Sequence, residues 1–148
     1  MKRVLLTAAV LVLGATAVIA QQDVVKQTQA QMKATGKAVG GTLSPMVKGE
    51  KPYDQAAVNE ALKTLDDTAK QLPKMFPASI KAAKFDGDYH PSPKVWEDAA
   101  GFNAKIEDFA KAVSEAKAKI KDAESLKAGF PAVGKACSNC HETFRVKG

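Results

Sequence analysis

From Val95 onward the apolar residues fall at Val95, Ala99, Phe102, Ile106, Phe109, Val113, Ala116 and Ile120, in alternating steps of four and three. A stripe with that period lies along one face of an α-helix, and a helix with one apolar face must bury it against other helices. Ser92-Pro93 supplies an N-cap and a first-turn proline. Glu97 and Asp98 near the start, with Lys119 and Lys121 near the end, complement the helix dipole. The spacing predicts one helix over residues 93–121.

The period recurs in three more places. At the C-terminus it runs Leu126, Phe130, Val133, Cys137, Cys140, Phe144, with Pro131 expected to bend or loosen the first turn by removing a backbone donor. Val58, Ala61, Leu62, Leu65, Ala69 and Leu72 mark a helix entered at Asp54 and stopped before Pro73. Val25, Thr28, Met32, Thr35 and Val39 mark another, expected to end around Gly40-Gly41. No segment shows the alternation of a β-strand. The connection from Pro73 to Ser92 is long, with room for a short helix around Ala78–Lys84. Four amphipathic helices joined mostly by short links predict an all-α fold, an antiparallel up-down-up-down four-helix bundle.

The N-terminus has a different character. Lys2-Arg3 is followed by an apolar run from Val4 to Ile19, and Val18-Ile19-Ala20 reads as a small-residue cleavage site. Residues 1–20 are therefore expected to be a secretory signal, cleaved after Ala20. A transmembrane anchor is the rival reading, but the run is short for a span of about 20 residues and no positive cluster follows it. Removing those residues leaves 21–148 as one domain, with a formal charge of +4 rather than +6. So small and evenly spread a charge argues against nucleic acid, which calls for a clustered basic face. No Gly-rich phosphate loop, HExxH or GxSxG appears, so no enzyme activity is expected.

Both cysteines of the chain sit in Cys137-Ser138-Asn139-Cys140-His141. On a helix, positions i, i+3 and i+4 share a face, so the two thiols and the imidazole point the same way. Two thiols so spaced can form thioethers to the two vinyl groups of one haem, while the adjoining imidazole reaches the iron; CxxCH is the attachment motif of c-type haem. A redox dithiol would want a βαβ context, which this pattern lacks. Zinc needs about four ligands, and beyond these three only His90 remains. A disulfide here would close a very short loop and contribute little. One covalent haem c, bound through Cys137 and Cys140 with His141 on the iron, is the expected cofactor.

A haem-attachment motif eight residues from the C-terminus, in the last helix of a bundle, resembles the plan of the class II c-type cytochromes, the cytochrome c′ family. The resemblance covers essentially all of 21–148. It rests on Cys137 to His141 followed by Phe144-Arg145, on the loop Lys48-Gly49-Glu50-Lys51-Pro52-Tyr53-Asp54, and on Pro93-Lys94-Val95-Trp96. It is nearest to the low-spin branch, the cytochromes c-556, whose mature chains begin like Gln21-Gln22. It implies a periplasmic electron-transfer protein cycling between Fe(III) and Fe(II), with a first-helix methionine as second axial ligand. The matching residue is Met32. The high-spin members carry an arginine followed by a glutamine at the positions of Thr28 and Gln29, so the glutamine is retained here. The alternative is a five-coordinate cytochrome c′ that binds small gases such as NO and CO.

Residue by residue, spacing alone leaves Met32 as either a ligand or a packing side chain of the apolar stripe; the resemblance implies a ligand. Met46 follows Pro45 beyond the first helix, and Met75 lies in the proline-bounded connection. His90, between Tyr89 and Pro91, is expected as an exposed loop residue. Arg145 is either a solvated charge or a fork onto a haem propionate, and the resemblance supports the second. Lys127, Lys135 and Lys147 are expected to share one helix and offer a weak docking patch to an acidic redox partner. No membrane insertion is expected after cleavage. The Lys- and Gln-rich first two helices favour a monomer over a homodimer. Intact-mass spectrometry should find residues 21–148 plus one haem; a mass retaining residues 1–20 would refute the signal.

Overall fold

The computed structural model describes the backbone of residues 4–148 and the side chains of residues 19–148. Lys2 and Arg3, the basic start of the expected signal, lie outside the described residues. Among the described residues no helix is long and apolar enough to cross a membrane. The chain forms a four-helix bundle, as the spacing predicted. The first helix, α1 (Val4–Lys37), runs through a widened π turn, Ala38–Leu43, into a short continuation, α2 (Ser44–Val47). The other three are α3 (Gln55–Met75), α5 (Ala99–Lys119) and α6 (Ala123–Phe144). A single helical turn, α4 (Lys94–Glu97), precedes α5. In packing, α1 lies on α3, α3 on α5, α5 on α6, and α2 closes onto α6.

The glycine pair does not stop the first helix. Gly40 and Gly41 have poor α propensity, and the chain accommodates them by loosening to i→i+5 bonding, with the Ser44 amide donating to the Val39 carbonyl. The stop comes at Gly49, whose φ of 77° is the left-handed conformation that ends helices. The second helix likewise outlasts its expected end. Pro73 lies in the last turn of α3, where its missing N–H forfeits one bond rather than the helix. Side chains from elsewhere fasten that end: Thr28 Oγ1 donates to the Met75 carbonyl at 2.8 Å, and Trp96 Nε1 to the Phe76 carbonyl at 3.0 Å.

The helix expected over 93–121 is broken at Asp98, which has φ −121° and ψ 64° and accepts from the Gly101 amide at 2.9 Å. A side chain that caps its own successor offers the backbone an alternative to helix, and here it prevails. The stripe survives the break: Val95, Phe102, Ile106, Phe109, Val113, Ala116 and Ile120 are buried, and only Ala99 is exposed. The connection after α3 contains a 3₁₀ turn, Ala78–Ile80, shorter than the expected Ala78–Lys84, with Ile80 fully buried.

A strand pair also forms where none was expected. Tyr89–Pro91 (β1) runs antiparallel to Arg145–Lys147 (β2), with His90 opposite Val146. Three residues are too few for alternation to register in a sequence; backbone pairing alone makes this ladder. It ties the long connection to the end of α6, and the Ser92 amide adds a bond to the Phe144 carbonyl.

At its start α6 carries a reciprocal cap. Asp122 accepts from the Ser125 amide at 2.8 Å while the Ser125 hydroxyl receives the Asp122 amide. Those bonds from Ser125 hold the Asp122 carboxyl below its ordinary range. A depressed folded value means a contribution complete above the ordinary carboxylate range and lost as pH falls through it. Asp122→Ala should therefore lower the thermal midpoint at neutral pH, with the gap to wild type closing between about pH 4 and pH 2. Calorimetry across that range checks it.

Candidate cofactor site

Helical spacing delivers the motif as expected. Cys137, Cys140 and His141 line one wall of a cavity of about 530 Å³, together with Ala136, Phe144 and Arg145 of the same C-terminal stretch. No disulfide links the two cysteines; both are partly buried, and burial pushes the pKa of each side chain up before attachment. For Cys140 the neighbouring Cys137 adds to the rise and Lys105 opposes it. Burial, and then the charge of Arg145, push the pKa of His141 down. A neutral imidazole keeps the lone pair that binds a metal.

Another wall belongs to α1, which contributes Thr28, Gln29, Met32, Thr35 and Gly36, and to Val39 of the π turn that continues it. Met32 is the only methionine among the described residues that lines the cavity; Met46 and Met75 are buried elsewhere in the core. Gly36 lines the cavity, and a Cβ built on it would meet nothing within 4 Å, so at that one position the wall is bare backbone. Gln29 lines the cavity too, but its amide Nε2 is engaged, donating to the Asp86 carbonyl at 2.6 Å. The remaining walls are mainly apolar: Leu72 and Phe76 from α3 and its end, Val95 from α4, and Phe102 and Phe109 from the stripe of α5.

The ladder forms the rim. Arg145 stands on β2 with its guanidinium 4.3 Å from the centre of the Tyr89 ring. His90, expected to be exposed, is half-buried on β1 and lines the cavity; its Nε2 lies 3.0 Å from the Gly87 carbonyl and its ring leans on Phe85. Pairing with the tail draws it in. The lysine patch is not gathered on one helix: Lys127 and Lys135 are exposed on α6, whereas Lys147 belongs to β2.

Reading the sequence missed several lining residues. Thr68 is a polar residue on α3, outside its apolar series, and Phe85 and Tyr89 lie in an irregular connection with no period to mark them. Lys33 and Lys105 also line the cavity and were indistinguishable from surface lysines. A largely apolar space, two cysteines at thioether spacing beside an imidazole, and bare backbone at Gly36 on the facing helix all fit a flat, apolar macrocycle tied through two sulfurs.

The comparisons agree with that fit. The cytochrome C′ family matches residues 23–145. Cytochrome c-556 of Rhodopseudomonas palustris is 55 % identical over 148 residues, covering 99 % of both chains. Cytochrome c′ of the same organism is 39 % identical over 145 residues, covering 98 % of this chain and 97 % of its own. An NMR-validated structural model of oxidized R. palustris cytochrome c556 superposes with a TM-score of 0.75, at 55 % identity, covering 86 % of this chain and 98 % of that one. The chain belongs to the cytochrome c′ family, and its cofactor is haem c attached through Cys137 and Cys140.

Proposed function

We propose that the protein is a periplasmic electron carrier of the c-556 type, exported by a signal cleaved after Ala20, with domain 21–148 holding its haem between His141 and Met32. The observation that carries this reading is that Met32 alone among the described methionines shares the cavity with Cys137, Cys140 and His141. Haem c, when bound, supplies one-electron exchange between Fe(III) and Fe(II). The chain's own residues make that exchange easy. His141, neutral and fixed on α6 one residue after the second tether, offers an imidazole, and Met32 on α1 offers a thioether from a separate helix. Ligands rooted in two helices of one bundle keep the coordination sphere closed, and a thioether raises the potential.

Around them the apolar walls keep water away, and the rim carries the compensating charge. Arg145, whose guanidinium lies over the Tyr89 ring at the rim, would pair with a propionate. Gln29 bridges α1 to the long connection beside the same site. Such a protein turns over no substrate; it passes electrons as a monomer to partner proteins, with exposed Lys127, Lys135 and Lys147 available to acidic surfaces.

A second reading is favoured by the cytochrome c′ relative at 39 % identity over nearly the full length. In it Met32 only packs, and the distal face stays open to NO or CO. One variant separates the two. Under the carrier reading the wild-type protein is low-spin in both oxidation states, shows the weak sulfur-to-iron band when oxidised, and binds CO slowly when reduced. Met32→Ala should then become high-spin and bind CO quickly, while Met46→Ala and Met75→Ala keep the wild-type spectrum. A wild type already high-spin at neutral pH puts the gas-binding reading first.

A further inference from the structure

The stretch of α1 that carries Met32 has almost no hydrophobic anchor. Between Val25 and Ala38 no apolar side chain is buried; the one buried residue is Thr28, at 4 % exposure. Polar bonds hold this stretch instead. Thr28 Oγ1 donates to the Met75 carbonyl (2.8 Å), Gln29 Nε2 to the Asp86 carbonyl (2.6 Å), and Gln31 Nε2 to Thr68 Oγ1 (2.6 Å). Thr35 Oγ1 lies 2.8 Å from Thr68 Oγ1. These residues bracket Met32 on both sides, and Thr28, Thr35 and Thr68 line the same cavity.

Thr68 is the node. It is 1 % exposed; it donates to the Thr64 carbonyl at 2.8 Å and accepts from Gln31 Nε2, and its second lone pair faces Thr35 Oγ1, whose one hydrogen is shared between Thr68 and the Gln31 carbonyl at 2.9 Å. Apolar packing is non-directional and tolerates sliding, whereas hydrogen bonds weaken steeply with misalignment. A buried hydroxyl that meets two side chains of α1 therefore fixes how far along and around its axis α1 sits on α3. That setting decides where the Met32 sulfur comes to rest.

We propose that Thr68 is a positioning residue for Met32, locking the α1 turn through Gln31 and Thr35 so that the thioether is held at one depth in the cavity. This deepens the carrier reading and rests on it for its spectroscopic readout. The test uses the haem-loaded protein. Thr68→Val keeps the shape and removes all three bonds; Thr68→Ser keeps the hydroxyl. Thr64→Val is the control, since that hydroxyl bonds only the Glu60 carbonyl of its own helix.

In Thr68→Val, CO binding to the reduced protein should quicken at least about tenfold, as expected from two lost interhelical bonds. The sulfur-to-iron band should weaken, Thr68→Ser should restore both, and Thr64→Val should match wild type. Amide exchange over residues 29–36 should rise about tenfold by the same argument, with α5 unchanged. Thr35→Val, at a half-buried position, gives the same readouts in a smaller dose should Thr68→Val fail to load haem. Wild-type CO binding and wild-type exchange in a folded Thr68→Val protein would overturn the proposal. A five-coordinate wild type would refute the carrier reading from its spectrum alone. Exchange over 29–36 then decides the positioning role: faster exchange in Thr68→Val sustains it, and unchanged exchange overturns it.

Discussion

Everything in this molecule hangs on the helical spacing of three side chains. Cys137, Cys140 and His141 reach one cavity only because α6 is an uninterrupted helix there, and a helix presents i, i+3 and i+4 together. The fold secures α6 at both ends. Its start has the reciprocal Asp122–Ser125 cap, and its body buries Leu126, Val133, Ala136 and Phe144. Its end is pinned by the Ser92 amide on the Phe144 carbonyl and by the β1–β2 ladder. Pro131 sits inside this helix, yet costs only the bond its nitrogen would have made to the Lys127 carbonyl, six residues before the first tether.

How much of this was legible in the sequence follows from how each feature is encoded. The bundle was, because apolar period is a global signal: seven of the eight residues read from Val95 to Ile120 are buried. The break at Asp98 was not, because the stripe continues across it in register and a single cap leaves the period intact. Gly40-Gly41 misled for the opposite reason. Glycine signals a weak place in a helix, and widening the turn is as good an answer to weakness as ending it. The ladder left no trace, since each strand is three residues long and its stability comes from backbone pairing.

The site divides along the same line. Its attachment wall was readable because the motif is local: five consecutive residues state both the chemistry and the geometry. Met32 was readable as one methionine among four, but its place beside the motif depends on how α1 packs, which no local pattern records. The rim was unreadable. Tyr89 and His90 reach the cavity because the tail pairs with their strand, and Lys33 and Lys105 look like any other lysine until the cavity is seen.

The two walls are consequently held by different physics, and this bears on what the family fold can do. The α6 wall is fixed by a capped helix and a buried apolar stripe, so its imidazole has little freedom. The α1 wall faces the cavity over the stretch where apolar anchors would otherwise sit. Its position therefore falls to a few directional bonds through Thr28, Gln29, Gln31, Thr35 and Thr68. Each such bond contributes on the order of 1 kcal/mol, far less than the packing that fixes α6. Under the carrier reading proposed above, a bundle of this design would keep its attachment wall constant while small polar changes on α1 and α3 set whether the Met32 thioether reaches the other face.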